Sequence, residues 1–205
     1  MRVNTYFRTP PVVKNLLIAN IIIFLATWML PKVKDFTDTY CLLFYFTNSD
    51  FHSWQFITYM FLHADWGHLF FNMFALWMFG RTLEYEIGSR RFLLYYFVCG
   101  VGAALLQMGV AWIANDPGTI LLGASGAVMG VLLAFGVMHP NEVLIIFPIP
   151  VPIKAKWFVI GYAALELFYG ATGRNAGIAH FAHVGGMLWG YLLLLYWKRK
   201  GKIFY

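Results

Sequence analysis

Five times along this chain the sequence runs for fifteen residues or more without an Asp, Glu, Lys or Arg: between Lys14 and Lys32, Asp65 and Arg81, Arg91 and Asp116, Asp116 and Glu142, and Arg174 and Lys198. Runs of this length suit α-helical bilayer spans of roughly 20 residues. In lipid the backbone must satisfy its own hydrogen bonds, and a helix does so within one segment. The expected class is therefore an all-α polytopic membrane protein.

Composition agrees. Hydrophobic residues make up 60% and charged residues 12% of the 205 positions, whereas soluble domains carry roughly a quarter charged residues. That length holds about six spans plus loops, read as one membrane domain over residues 1 to 205. The two cysteines, Cys41 and Cys99, form neither a disulfide framework nor a metal pair. The first apolar run is followed by Pro31-Lys32 without a small-residue cleavage pattern, so it is read as a retained helix.

Apolar length and its interruptions predict helices at 12 to 30, 66 to 84, 91 to 113, 122 to 138, 154 to 171 and 177 to 198. Of the fifteen Lys and Arg residues, twelve fall in the N-terminus, the turns after the second and fourth helices, and the C-terminus. Six spans put all of these on one side, with both termini cytoplasmic. Lys32, Lys34 and Arg174 fall on the other side. The net charge of +6 thus reports topology and calls for no nucleic-acid partner. Trp28, Trp66, Trp112, Trp157 and Trp197 fall near helix ends, as interfacial anchors do; Trp77 and Trp189 do not. The aromatic-rich connection from Pro31 to Asp65 is expected to be partly immersed in the outer leaflet.

Against this background three polar clusters stand out: Ser125 within Gly123-Ala124-Ser125-Gly126, His183 within Ala182-His183-Val184-Gly185-Gly186, and His68 with Asn72 one turn apart. Polar groups at bilayer depth are costly and mark functional positions. Each lies shortly after the outer start of its helix, which puts all three in one layer roughly 5 to 10 Å below the outer surface. Gly126 with Gly130, and Gly186 with Gly190, form small-residue stripes on which the fourth and sixth helices can cross closely. That crossing would bring Ser125 to His183. Taken singly, each group has a plainer reading as packing residue or interhelical glue; their coincidence in depth favours a site.

The chemistry such a layer suits is acyl transfer, with Ser125 as nucleophile, His183 as base, and His68 and Asn72 as donors to the oxyanion, aided by the helix start at Ser125. Among nine carboxylates none has an evident link to the base. Asp35, Asp38, Asp50, Asp65 and Asp116 read as loop or interfacial residues, and Glu84, Glu86 and Glu142 as cytoplasmic. Glu166 reads as lying near the outer end of the fifth helix, which gives it no specific link to His183. A dyad is expected in preference to a triad. His180, three residues from His183, is expected to face water or the interface, and no HExxH motif or convergent carboxylate points to zinc.

The chain resembles the rhomboid intramembrane serine proteases over essentially its whole length. The matching elements are GASG at 123 to 126, AHVGGMLWG at 182 to 190, HLFFN at 68 to 72, and an ELxxG-like turn at Glu84-Tyr85-Glu86-Ile87-Gly88. The resemblance implies a six-helix bundle that cleaves single-pass transmembrane proteins within or near their membrane segment, without metal or cofactor. It assigns catalysis to Ser125 and His183 and oxyanion stabilisation to His68 and Asn72. It also implies an embedded first loop, here 31 to 65, and a mobile fifth helix, here 154 to 171, that admits substrate. Two positions depart from the common pattern: Trp54-Gln55 stands where Trp-Arg is frequent, and Met129 where an aromatic often stacks on the base. Other readings are an inactive module that holds client transmembrane helices, which loss of Ser125 or His183 would mark, and a small transporter, which the shallow layer and missing repeat argue against. A bacterial inner membrane is the expected location.

Overall fold

The computed structural model describes residues 8–146, 149–173 and 179–203. Arg2, Arg174 and the expected start of the sixth helix at 177 lie outside the described residues. Helix α1, Pro11–Met29, opens on proline, whose missing N–H costs a first turn nothing. Its next donors are capped from afar. Glu84 accepts from the N–H groups of Val12 at 2.9 Å and Val13 at 2.7 Å, and from the Ser89 hydroxyl at 2.7 Å. The ELxxG-like turn therefore pins the start of α1 to the second long helix.

The connection that follows is structured. It contains α2 (Pro31–Tyr40), strand β1 (Leu43–Phe44), α3 (Gln55–Thr58) and a 3-10 turn at Tyr59–Phe61. Gln55 is fully buried; its side chain accepts from His52 N at 3.1 Å and donates to the Asp50 carbonyl at 2.7 Å. An amide thus ties this loop together where a guanidinium is frequent. The second long helix is α4 (Trp66–Ala75), a π-helical turn (Leu76–Gly80) and α5 (Arg81–Ile87) in unbroken succession. Gly88, at φ 82°, turns the chain into α6, Ser89–Ile113. Strand β2 (Ile120–Leu121) pairs antiparallel with β1, Leu43 opposite Leu121, and leads to α7, Ser125–Met138.

Strands β3 (Val143–Ile146) and β4 (Ile149–Lys154) form a hairpin with an irregular register at Ile145/Ile146, then come α8 (Ala155–Thr172) and α9 (His180–Arg199). The protein is mostly helical, and its long helices match the expected positions closely. Two corrections apply. The fourth helix begins at Ser125, three residues later than expected, because 120 to 121 are recruited into β2; the hairpin at 143 to 154 was not foreseen. Helices α1 and α6 are long and apolar enough by length and composition to cross a membrane, and α7 is apolar but shorter.

The centre is the trio α6, α7 and α9, which make the most extensive helix contacts in the fold. Small residues make that possible. A Cβ on Gly130 would meet the Gly186 carbonyl oxygen at 2.9 Å and one on Gly185 would meet the Ala103 backbone at 2.9 Å, while one on Gly186 would overlap the Gly126 carbonyl. Gly102 of α6 lets one side of the half-exposed Trp189 pack against that helix. Trp77 carries the Arg81 guanidinium 4.9 Å from its ring centroid. Tyrosine hydroxyls add cross-links: Tyr95 of α6 donates to the Gly130 carbonyl of α7, and Tyr59 of the first connection donates to the Gly100 carbonyl of α6, each at 2.8 Å. Cys41 and Cys99 are free thiols.

Candidate active site

Ser125 is the first residue of α7, and His183 is the fourth of α9. The glycine contacts between these helices bring His183 Nε2 to 2.8 Å from Ser125 Oγ. The ring nitrogen that faces the hydroxyl accepts its proton, so in a neutral imidazole the remaining proton sits on Nδ1; this tautomer is inferred from the hydrogen bonds.

The run into Ser125 is held from two sides. Gly123 N donates to the Tyr59 carbonyl at 2.9 Å, and β2 rests on β1. Gly123 adopts φ 115°, a conformation that L side chains rarely take, and a Cβ there would lie 2.7 Å from the His68 ring. Glycine at 123 is thus required by its backbone and by the imidazole beside it. As α7 starts at Ser125 with no side-chain cap, its first backbone N–H groups have no intrahelical partner and present the positive end of the helix dipole.

His68 and Asn72 lie on one face of α4. Asp65 caps that helix by accepting from His68 N at 2.8 Å. The His68 Nδ1 accepts from Ala64 N at 3.4 Å, which leaves Nε2–H as the donor beside Gly123. Asn72 Nδ2 gives one hydrogen to the His68 carbonyl at 2.9 Å and keeps a second. His63, in the connection before α4, packs edge-on against His68 with ring centroids 5.0 Å apart. Burial, helped by His68, pushes the His63 imidazole down to about 4 against weaker opposing pulls from the Phe61 backbone and Asp65, so it packs as a neutral ring. Ser125, His183, His68 and Asn72 all line one cavity of about 520 Å³, with Met129 of α7 and Tyr162 of α8 on its wall. The structure brings together all four residues singled out from the sequence.

It also corrects two expectations. Glu166 does have a specific link to His183: its Oε1 lies 3.0 Å from His183 Nδ1, and its Oε2 lies 2.6 Å from His180 Nδ1. His180 does not face water; its side chain and that of Glu166 are each 7% exposed. The Glu166–His183 approach is of ion-pair length, but its alignment falls short of a directional hydrogen bond. The three groups offer donor atoms within 4.8 Å of one another, so a convergent carboxylate does exist beside the histidine pair. Sequence reasoning missed this because it located Glu166 along its helix and not around it. The available signal was local: Glu166 is a lone acid beside Leu165, Leu167 and Phe168, and the structure buries the acid while it exposes those three.

The Rhomboid domain family model matches residues 50–200. The chain is 33% identical over 198 residues to "Rhomboid protein 1, mitochondrial" of Saccharomyces cerevisiae, covering 92% of the chain and 54% of that protein. It is 31% identical over 167 residues to "Rhomboid-like protein 11, chloroplastic" of Arabidopsis thaliana, covering 71% and 53%. It is 31% identical over 153 residues to "Rhomboid protease AarA" of Providencia stuartii, covering 68% and 54%. The chain spans about half the length of these curated relatives. With a family match over well more than half of its length and its glycine, serine and histidine motifs inside the matched region, the chain belongs to the rhomboid family of integral membrane proteins.

Proposed function

We propose that the chain is an intramembrane serine endopeptidase, a single membrane domain of six spanning helices with both termini cytoplasmic, which cleaves single-pass transmembrane proteins within or near their membrane segment. The observation that carries this reading is the 2.8 Å hydrogen bond between Ser125 Oγ and His183 Nε2 in a cavity that also contains His68 and Asn72. A half-buried hydroxyl paired with an imidazole beside side-chain and helix-start donors has the parts of acyl transfer.

In the proposed reaction Ser125 Oγ attacks the scissile carbonyl carbon as its proton passes to His183 Nε2. The carbonyl π pair moves to oxygen, where the first N–H groups of α7, His68 Nε2–H and the second Asn72 N–H stabilise it. Collapse breaks the C–N bond, and Nε2 returns the proton to the departing amine. Water then attacks the acyl-serine by the same route and restores Ser125. The relatives are named from a mitochondrion, a chloroplast and a bacterium; the charge map suits a bacterial inner membrane with the basic turns facing the cytoplasm.

The test is cleavage of a transmembrane reporter in proteoliposomes, paired with labelling by a fluorophosphonate. The wild type is expected to cleave and to be labelled, and Ser125→Ala to do neither. Equal cleavage by both, or absence of cleavage by the wild type across varied reporters, would overturn the reading; the latter would leave a client-binding module. A separate expectation concerns the oxyanion. Asn72→Ala should lower kcat by about 100- to 1,000-fold with KM little changed, because its second N–H acts on charge that exists only in the transition state. A loss confined to KM would remove Asn72 from that role.

A further inference from the structure

We propose that Glu166 is a positioning residue for the base: its carboxylate fixes the ring of His183 and faces the charge that forms there, and His180 braces it. This rests on the protease reading of Ser125 and His183.

The ring's two nitrogens have divided duties. Nε2 is committed to the Ser125 hydroxyl, so the Nδ1 proton must point elsewhere. The acidic atom within reach is Glu166 Oε1, at 3.0 Å. When Nε2 takes the serine proton the ring becomes a cation, and a carboxylate on its far side stabilises that cation and the ring orientation that produces it. The resting alignment is imperfect, as in many substrate-free sites whose catalytic hydrogen bonds tighten on binding. No stacking aromatic supplies the orientation from α7, since position 129 is a thioether, which packs without imposing direction.

His180 gives the carboxylate its second attachment. It stands one turn before His183 on the same face of α9, and its Nδ1 is 2.6 Å from Glu166 Oε2. The Tyr169 ring lies 5.6 Å from the His180 ring, closing that side. One turn beyond Glu166, Gly170 lets α8 approach: a Cβ there would touch the Phe181 ring at 3.0 Å and His180 Cβ at 3.3 Å. Glycine at 170 thus sets the distance at which one carboxylate spans two imidazoles. Glu166 is otherwise out of place, as a buried acid on a helix whose Trp157, Ile160, Leu165, Leu167 and Phe168 are exposed. A structural tie between α8 and α9 needs one such contact; the fork onto the base is what a positioning role adds.

The experiment is steady-state cleavage of the transmembrane reporter by the full chain in proteoliposomes, with Glu166→Gln, Glu166→Asp and His183→Ala compared. Glu166→Gln keeps size and removes charge. It is expected to lower kcat by about 10- to 100-fold, the usual cost of losing a residue that orients a catalytic group, with KM within twofold and fluorophosphonate labelling slowed in parallel. Glu166→Asp is expected to recover part of kcat. A wild-type kcat in Glu166→Gln, or a rise in KM alone, overturns the proposal. If Glu166→Gln does not fold, His180→Phe, which keeps a ring and removes the Nδ1 partner of Glu166, is expected to lower kcat several-fold at unchanged KM, and a wild-type value there overturns the proposal equally. Wild-type activity is expected to survive dialysis against EDTA; loss that zinc restores would make the three residues a metal centre and overturn the positioning role. If Glu166→Gln is fully active while His183→Ala is dead, this inference fails and the protease reading stands; an active His183→Ala sinks the reading itself.

Discussion

His183→Ala is expected to lower reporter cleavage by about 10⁵- to 10⁶-fold, and Ser125→Ala by a similar factor, because nucleophile and base act as one unit. The instructive variant is the double. Once Oγ is absent the base has no proton to accept, and once the base is absent the hydroxyl stays a weak nucleophile. The double variant is therefore expected to be no slower than either single one, within about threefold, with residual turnover set by the oxyanion donors and binding alone. Multiplicative losses in single-turnover assays would mean that the 2.8 Å Ser125–His183 contact is structural, and that one of the two acts with another partner.

Gly186→Ala carries the second large effect, although residue 186 touches neither reacting atom. A Cβ there would overlap the Gly126 carbonyl, which is backbone and has no rotamer to yield. The strain can be relieved only by moving α7 away from α9. Gly126 adjoins the nucleophile and Gly186 lies one turn from the base, so the separation falls on the catalytic pair. Overpacking of this kind costs about 1 to 3 kcal/mol, and a displacement of about 1 Å at reacting groups can cost about 100-fold in rate. Activity is expected to fall by at least about 100-fold, with a lowered Tm. Gly109→Ala and Gly161→Ala, where a new Cβ meets nothing within 4 Å, are expected to stay within twofold of wild type. If Gly186→Ala retained a third of its activity, the close crossing would not be what sets the Ser125–His183 distance.

The sequence made legible whatever depends on position along a helix. Uncharged runs located five of the six long helices, because lipid leaves the backbone few alternatives, and apolar length placed α8 despite Lys156 and Glu166. The glycine spacing at 126, 130, 186 and 190 located the crossing, because only small residues permit it. What depends on rotation about a helix axis stayed hidden. Glu166 lies beside His183 through the phase of α8 and the closeness allowed at Gly170, and neither follows from the distance between residues 166 and 183 along the chain. The late start of α7 was hidden for a related reason. Residues 120 to 121 are apolar enough to continue a helix upstream, yet a pairing partner more than seventy residues earlier, at Leu43–Phe44, takes them into a strand. The 143 to 154 hairpin belongs to the same group, since an Ile-rich and Pro-rich turn carries no membrane signal that distinguishes a hairpin from a loop.

Ser125 and His183 sit on a pair of helices locked by backbone contact, whereas Glu166 belongs to α8, which leans on that pair with a smaller contact and turns Leu165, Leu167 and Phe168 outward. Displacing α8 would carry the carboxylate off and leave the serine–histidine hydrogen bond in place. If Glu166 positions the base as proposed, the site would have an interlock: with α8 swung out the base would be at partial strength, and it would recover full strength as the helix docked again, so that access and reaction would take turns.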